Sequence, residues 1–381
     1  MKIVVAPDSF KGTVSSLRAS ELISESFARV FPSADIVSLP IADGGEGTVE
    51  AIALATGSPL LTVDTVDGYG RAIKAVWCAV GGRGVCQASS VVTFSSDGSG
   101  NVETCSSYGL GAIVRRIISA GCKSICMGLG GTASNDGGTG LASALGVKFY
   151  RADGSVFVPC GATLHLIADY DDSEAKNLLD GIDLVGLCDV DNPFTGELGA
   201  ARVFSPQKGA DPAAVERLER GMLHLQSLIL RKSGIDLSVY PGAGAAGGLG
   251  GGICALLGGR LAPGAATVIE LSGAQGHLSE ADLLVTGEGR VDAQTLMGKT
   301  ASGLIKASNG CPTVIIGGFA LPEAELLYAH GAAAVCACNR TKADFKDILA
   351  SAEDNLRNEA YAAARLISVG MNLKEKEVPK K

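Results

Sequence analysis

The sequence predicts an α/β fold with a mainly parallel sheet, in about two domains. Three observations carry this. Short apolar runs closed by Gly, Asp or Asn alternate with stretches of helical spacing. Acidic and glycine-rich clusters fall one after another just past those runs, where α/β sheets bind ligands. The length of 381 residues exceeds a single core at roughly 100–200 residues per domain.

The elements follow in order. Residues 3–6 form the first predicted strand, leading through Asp8-Ser9-Phe10-Lys11 to an amphipathic helix over 17–30. Residues 36–39 form the second, followed by Asp43-Gly44-Gly45-Glu46-Gly47 and a helix over 48–55. Between about Leu61 and Ser107 the texture changes. Residues 63–66, 72–80 and 85–92 read as hairpin strands around Asp67-Gly68-Tyr69-Gly70 and Gly81-Gly82-Arg83-Gly84. This all-β insertion is expected to open a second domain. Residues 95–100 read as a solvated loop. Residues 124–129, 184–188, 283–285, 313–316 and 334–337 are further buried strands, being short apolar runs between turn residues. A long helix is expected over 345–369 and a frayed charged tail over 375–381.

Composition excludes several classes. Hydrophobic residues make up 46% and charged residues 19%, too apolar for a disordered chain, and the 52 glycines lack the three-residue period of collagen. With 32 Lys and Arg against 40 Asp and Glu, a net charge of -8, nucleic acid is not an expected partner. Eleven cysteines, an odd number with no secretory leader before them, read as buried thiols in a reducing cytoplasm. Neither Cys122 with Cys126 nor Cys336 with Cys338 has the spacing of a zinc site. Residues 237–259 carry no charge over a length able to cross a bilayer. Pro241 and the glycines from Gly242 to Gly252 argue instead for a loop entering a short buried helix over 253–257, since each Gly costs a helix up to ~1 kcal/mol relative to Ala. No membrane span is expected.

The motifs point to anions and metal. Gly130-Gly131-Thr132-Ala133-Ser134-Asn135-Asp136-Gly137-Gly138 follows a strand and opens a helix. Successive glycines let backbone N–H groups converge on an anion, and two Gly pairs exceed what a tight turn needs. Residues 242–247 contain G-x-G-x-x-G, but the stretch before it is a poor strand, so close packing explains these glycines equally well. Residues 293–300 resemble a Walker loop with Ala in place of the first Gly. That is a chance match, leaving Lys299 as either a phosphate ligand or a solvated lysine. Asp8, Asp43, Glu46, Asp136, Asp189, Asp191, Glu288 and Asp292 all sit at predicted strand-to-loop boundaries, beside Ser9, Asn135 and Asn192. Converging carboxylates repel one another unless a cation is shared, which suggests Mg²⁺ with one carboxylate kept as base; two or three are expected to be helix caps instead. Lys11, Lys208 and Arg290 add positive charge. Together these groups describe phosphoryl transfer. The four histidines lie away from the clusters and support neither a Ser-His-Asp triad nor a zinc site.

Seven motifs in register carry a resemblance to a known family. They are Ala6-Pro7-Asp8-Ser9-Phe10-Lys11-Gly12, Ala42-Asp43-Gly44-Gly45-Glu46-Gly47-Thr48, residues 130–138, Cys188-Asp189-Val190-Asp191-Asn192-Pro193, Ser205-Pro206-Gln207-Lys208-Gly209-Ala210, residues 241–248 and Thr286-Gly287-Glu288-Gly289-Arg290-Val291-Asp292. In this order they resemble the type I glycerate kinase family from Met1 to about Met371. The resemblance implies ATP- and Mg²⁺-dependent phosphorylation of D-glycerate, most often to 2-phosphoglycerate, in the cytoplasm, by a monomer or homodimer. It implies a Rossmann-like, flavodoxin-like domain built from both chain ends, residues 1–62 and 265–381, with an inserted mixed α/β domain over 63–264. It further implies Mg-ATP along Gly130, Gly131, Ser134, Asn135, Gly244 and Gly247, with Lys299 as another contact. Asp136, Asp189 or Asp191 would assist the metal or act as base, and Glu288 and Asp292 are further metal candidates. Lys11 and Lys208 would hold the glycerate carboxylate or neutralise the moving phosphoryl group. Asp8, Ser9, Asn192, Arg290, Asp43 and Glu46 are the expected substrate contacts. The chain departs from the family where Gln87 stands in a usual carboxylate position, across residues 94–104, and at Ala112. Two other readings remain: an oxidoreductase using residues 242–247, and a lapsed family member that only binds ligand.

Overall fold

The computed structural model describes residues 1–10, 12–93, 100–296, 300–339 and 345–377. Lys11, Lys299 and nearly all of the loop expected over 95–100 lie outside them. In chain order the strands are β1 (Lys2–Val5), β2 (Asp35–Ser38), β3 (Leu61–Val66), β4 (Ala72–Val80), β5 (Arg83–Gln87), β6 (Ser124–Gly128), β7 (Lys148–Tyr150), β8 (Val156–Phe157), β9 (Asp169–Asp171), β10 (Asp183–Leu187), β11 (Arg260–Ala262), β12 (Leu283–Val291), β13 (Thr313–Ala320) and β14 (Ala332–Ala337). The chain divides into two compact units, one made of Met1–Asp43, Leu54–Thr56 and Ala265–Lys381, the other of Gly44–Ala53 and Gly57–Gly264.

The first unit holds a five-stranded parallel sheet in the order β14-β13-β12-β1-β2. Ile3, Val4 and Val5 of β1 are fully buried, as expected of a central parallel strand covered on both faces. Leu22, Ile23 and Phe27 of the helix Ser16–Val30 pack with Ile3, Val285, Ile316 and Leu356 in one core. Ser15 starts that helix by accepting the Arg18 amide at 3.2 Å. The final helix runs from Phe345 to Glu377, well past residue 369 and into the expected frayed tail. Lys and Glu there are good helix formers and no proline stops them. From β1 the chain winds outward to β2 and later returns to the other side of β1 through β12. The point between β1 and β12 is therefore the topological switch of this sheet.

The second unit holds a six-stranded mixed sheet, β11-β10-β6-β5-β4-β3, and a small sheet, β8-β7-β9. β4 is antiparallel to both neighbours, whereas β5, β6, β10 and β11 are parallel. The hairpin strands are thus not a separate all-β insertion but one edge of the same sheet. The reason lies in β5, where Gly84, Val85, Cys86 and Gln87 are all buried and need a strand on either side. That strand ends at Gln87 in a 3₁₀ turn, Ala88–Ser90, and does not run to 92. The glycine-rich stretch is helical over Ala245–Leu257, with left-handed Ala246, Gly247 and Gly248 kinking its start. No helix among the described residues is long and apolar enough to cross a membrane. None of the eleven cysteines forms a disulfide.

Candidate functional site

In the first unit, residues singled out by the sequence gather at the switch point. Asp8 follows β1, and its amide donates to the Gly287 carbonyl of β12 at 2.8 Å. Its carboxylate accepts the Ser9 amide at 2.6 Å and the Thr300 hydroxyl at 2.8 Å. Thr300, which ends the Walker-like stretch, drew no role from sequence, yet it fixes this acid. β12 is longer than residues 283–285 suggest, so Glu288 and Arg290 stand within the strand, paired with Gly317 and Phe319 of β13. Two residues apart, they share one face. The Arg290 guanidinium lies 3.1 Å from Asp292, and Arg290 is exposed. Asp43 is half-buried at the end of this unit's first segment.

In the second unit, the C-terminal edge of the mixed sheet carries the remaining candidates. Asp136 is completely enclosed. Its carboxylate accepts the Ser107 amide and hydroxyl at 2.7 and 2.8 Å, the Gly138 amide at 3.1 Å and the Gly140 amide at 3.3 Å. Burial pushes its carboxyl above the usual range, and the hydrogen bonds from Ser107, Gly138 and Gly140 oppose that. With its acceptors occupied and no surface exposed, Asp136 is an anchor for the start of the helix Thr139–Leu145 rather than a group presented to substrate. Ser107 carries no sequence signal for this work. Lys208 is also buried, and its ammonium donates to the Ser134 carbonyl at 2.7 Å. Burial pulls it down to about 8, against the attraction of Cys105 and Asp136.

Asp189 differs. It is half-buried just beyond β10, with one oxygen accepting the Gly264 amide at 2.8 Å. Asp191 and Glu46 are exposed, while the Asn192 amide group donates to Leu198 within its own loop at 2.8 Å. Gly130 and Gly131 lie in the loop after β6. Within that loop the Ser134 hydroxyl and both amide atoms of Asn135 are buried without a protein partner, which marks a loop whose polar groups suit a bound polar group. Gly244 and Gly247 meet the close-packing reading of their stretch. A Cβ at Gly244 would overlap the Pro193 carbonyl, and one at Gly247 the Ser134 carbonyl, so their small size serves backbone packing. Gln87, also buried, accepts the Val49 amide at 3.1 Å near the start of the helix Thr48–Thr56. A neutral amide satisfies that donor as a carboxylate would. Among the described residues, no three His, Cys, Asp or Glu side chains gather closely enough to hold a metal ion.

A model of the glycerate kinase family matches residues 3–368. A glycerate kinase of Haemophilus influenzae is 35% identical over 375 residues, covering 97% of this chain and 99% of its own length. A glycerate 2-kinase of Escherichia coli is 33% identical over 379 residues, covering 97% and 99%. A crystal structure described as a glycerate kinase 2 from Salmonella typhimurium LT2 is similar with a TM-score of 0.80 and 34% identity, over 98% of this chain and 99% of that one.

Proposed function

The chain belongs to the glycerate kinase family of ATP-dependent kinases that phosphorylate glycerate, and we propose that it acts on the D isomer in the cytoplasm, giving 2-phosphoglycerate. The observation that carries the reading is the end-to-end match to glycerate kinases over residues 3–368. The acidic and glycine-rich groups at the C-terminal strand edges of both sheets support it.

The residues fit the proposed ligands. Mg²⁺ takes one or two carboxylates and completes its shell with water and phosphate oxygens. A site with fewer than three protein acids therefore suits it, and Asp191 would hold it, with Glu288 and Asp292 as further candidates. When bound, the ion neutralises charge on the transferred group. The unpartnered polar atoms of Ser134 and Asn135 support a role for Gly130, Gly131, Ser134 and Asn135 in holding phosphate oxygens.

Asp189 is the proposed base. It is half-buried and one of its oxygens meets Gly264, whereas Asp136 is enclosed. Little deprotonation of the hydroxyl is needed in a loose transition state, so an aspartate of ordinary basicity suffices. Lys208, positive at neutral pH, stabilises the negative charge that moves during transfer. Arg290 presents the planar donor fork that suits the glycerate carboxylate, and Lys11, Asp8, Ser9, Asn192, Asp43 and Glu46 are the other proposed substrate contacts. The oxidoreductase reading loses its basis once Gly244 and Gly247 are needed for packing.

The test is ADP release with D-glycerate, L-glycerate, hydroxypyruvate and no acceptor, followed by identification of the phosphorylated carbon. D-glycerate-dependent release giving 2-phosphoglycerate is expected. No release with any acceptor refutes the kinase reading, and stabilisation by ligand without release would instead mark a protein that only binds.

A further inference from the structure

A cavity of about 390 Å³ opens in the second unit between the turn after β3 and the segment before the helix Leu110–Ser119. Its walls include Val66, Tyr69, Tyr108 and Val158, with the hydroxyl residues Thr104 and Ser106. Two features show that it is built rather than incidental. Asp67 shapes the turn: one carboxylate oxygen accepts the Tyr69 and Arg71 amides, each at 2.9 Å, and the other accepts the Arg71 side chain at 2.6 Å. The opposite wall is tied to it by the Ser106 amide, which donates to the Gly68 carbonyl at 2.8 Å. A side chain at Gly68 would strike Cys105, so only glycine lets the two segments come this close.

The chemistry of the walls selects the occupant. The one acid in the lining is saturated by its own turn, and no lysine or arginine lines the cavity. Neither a phosphate nor a free cation finds a counter-charge here. Two phenol rings, two valines and two hydroxyl residues suit a flat, uncharged ring with polar edges.

Position narrows the class further. β3 runs in the same direction as β5, β6 and β10, because it is separated from β5 by the antiparallel β4. The cavity therefore lies on the same C-terminal side of the sheet as the loop bearing Ser134 and Asn135 after β6, and Asp189 after β10, with Val66 standing about four residues past the level of Gly128 and Leu187. Four inter-strand steps from β3 to β10, at ~4.8 Å each, make about 19 Å across the strands, and the stagger adds about 13 Å along them, a separation of about 23 Å, on the scale of a fully extended nucleoside triphosphate. Across the sheet come first the uncharged cavity, then the loop with unpartnered polar groups, then the proposed base.

We infer that this cavity seats the purine ring of the nucleotide, with Tyr108 as a stacking wall; the assignment rests on the kinase reading above. Tyr108 and Val158 are both exposed, so replacing them spares the core. The test measures binding of ADP, adenosine and inorganic tripolyphosphate by calorimetry to the full-length protein and to Tyr108→Ala and Val158→Arg. Tyr108→Ala is expected to weaken ADP and adenosine about tenfold, in the range found for removing an aromatic stacking partner, and Val158→Arg to weaken both by a similar factor by filling the cavity. Tripolyphosphate binding stays as in the wild type, which a general loss of structure would not allow. The KM for ATP rises by a similar factor, while the KM for D-glycerate does not move. ADP and adenosine affinities within twofold of wild type in both variants would overturn the assignment and leave the kinase reading standing. A wild-type protein that releases no ADP with any acceptor removes the kinase reading and this assignment together.

Discussion

Lys208 gives the sharpest test of the electrostatics. Its ammonium is enclosed, donates to the Ser134 carbonyl, and is pulled from 10.5 to about 8 by burial. A drop of that size, at ~1.36 kcal/mol per unit, amounts to about 3 kcal/mol charged against stability for keeping the group ionised inside the fold. The folded-state value lies below the unfolded one, so between about 8 and 10.5 the unfolded chain binds more protons. Stability attributable to Lys208 therefore rises with pH across that window, and the penalty is fully present below it. Replacing Lys208 with Met removes the buried charge but also a hydrogen bond worth about 1 kcal/mol. Net, Lys208→Met is expected to be about 1–2 kcal/mol more stable than wild type at pH 7, with the advantage shrinking toward pH 10.5. Turnover is expected to fall sharply, the common exchange of stability for function. Urea unfolding from pH 7 to 10 measures this, followed through Trp77, the sole tryptophan, which is buried in the second unit. If the stability difference between the two proteins is flat over that range, the reasoning fails.

The remaining predictions follow from the other acids and from one glycine. Asp189→Asn is expected to lower turnover at least ~100-fold, the scale of losing a general base, while the melting temperature stays near wild type; near-normal turnover removes Asp189 from the chemistry. Asp136→Asn and Ser107→Ala disturb the same enclosed set of hydrogen bonds and are expected to cost about 1–3 kcal/mol each in urea unfolding. Because they share partners, their double mutant should cost less than the sum, and strict additivity would argue against the shared anchor. Gly247→Ala places a carbon against the Ser134 carbonyl at a positive φ. It is expected to destabilise by about 3 kcal/mol or more, seen as a lower melting temperature or loss of soluble protein, and an unchanged melt would refute the packing role.

The parallel strands were legible because a strand covered on both faces must be apolar throughout, as in residues 3–6, 124–129 and 184–188. What sequence could not reveal was how far a strand continues once its residues turn polar. β12 carries Glu288 and Arg290 because β13 extends beside it through Ala320, and that pairing is set by the neighbour. The hairpin edge was misread for a related reason: alternation along β3 and β4 shows that they pair, not which sheet they join. At the candidate site, strand-end position found Asp8 and Asp189, but not Thr300 or Ser107, since a hydroxyl residue looks alike whether it fixes a carboxylate or faces water. Asp136 was found in sequence and given too active a part, because enclosure by four donors is a property of the fold. The G-x-G-x-x-G spacing is ambiguous in the same way: glycine is required equally by a close ligand and by a close backbone.

The sheet of the first unit also sets how late in synthesis folding can be completed. β1 lies between β2 and β12, and its backbone ladder joins residues about 280 positions apart, such as the Asp282 amide donating to the Lys2 carbonyl. As the chain leaves the ribosome, β1 and β2 emerge first and wait for their central neighbour, whereas nearly all of the second unit lies in one uninterrupted stretch. At roughly 5–20 residues per second, the residues from 265 onward need on the order of ten seconds. During that interval the nascent chain carries a finished mixed sheet and an open apolar strand pair. Such long-range closure is slow and leaves an unpaired edge exposed. Shielding of β1 in the newborn chain, and rapid removal of products truncated before β12, are therefore demands that this topology places on the cell.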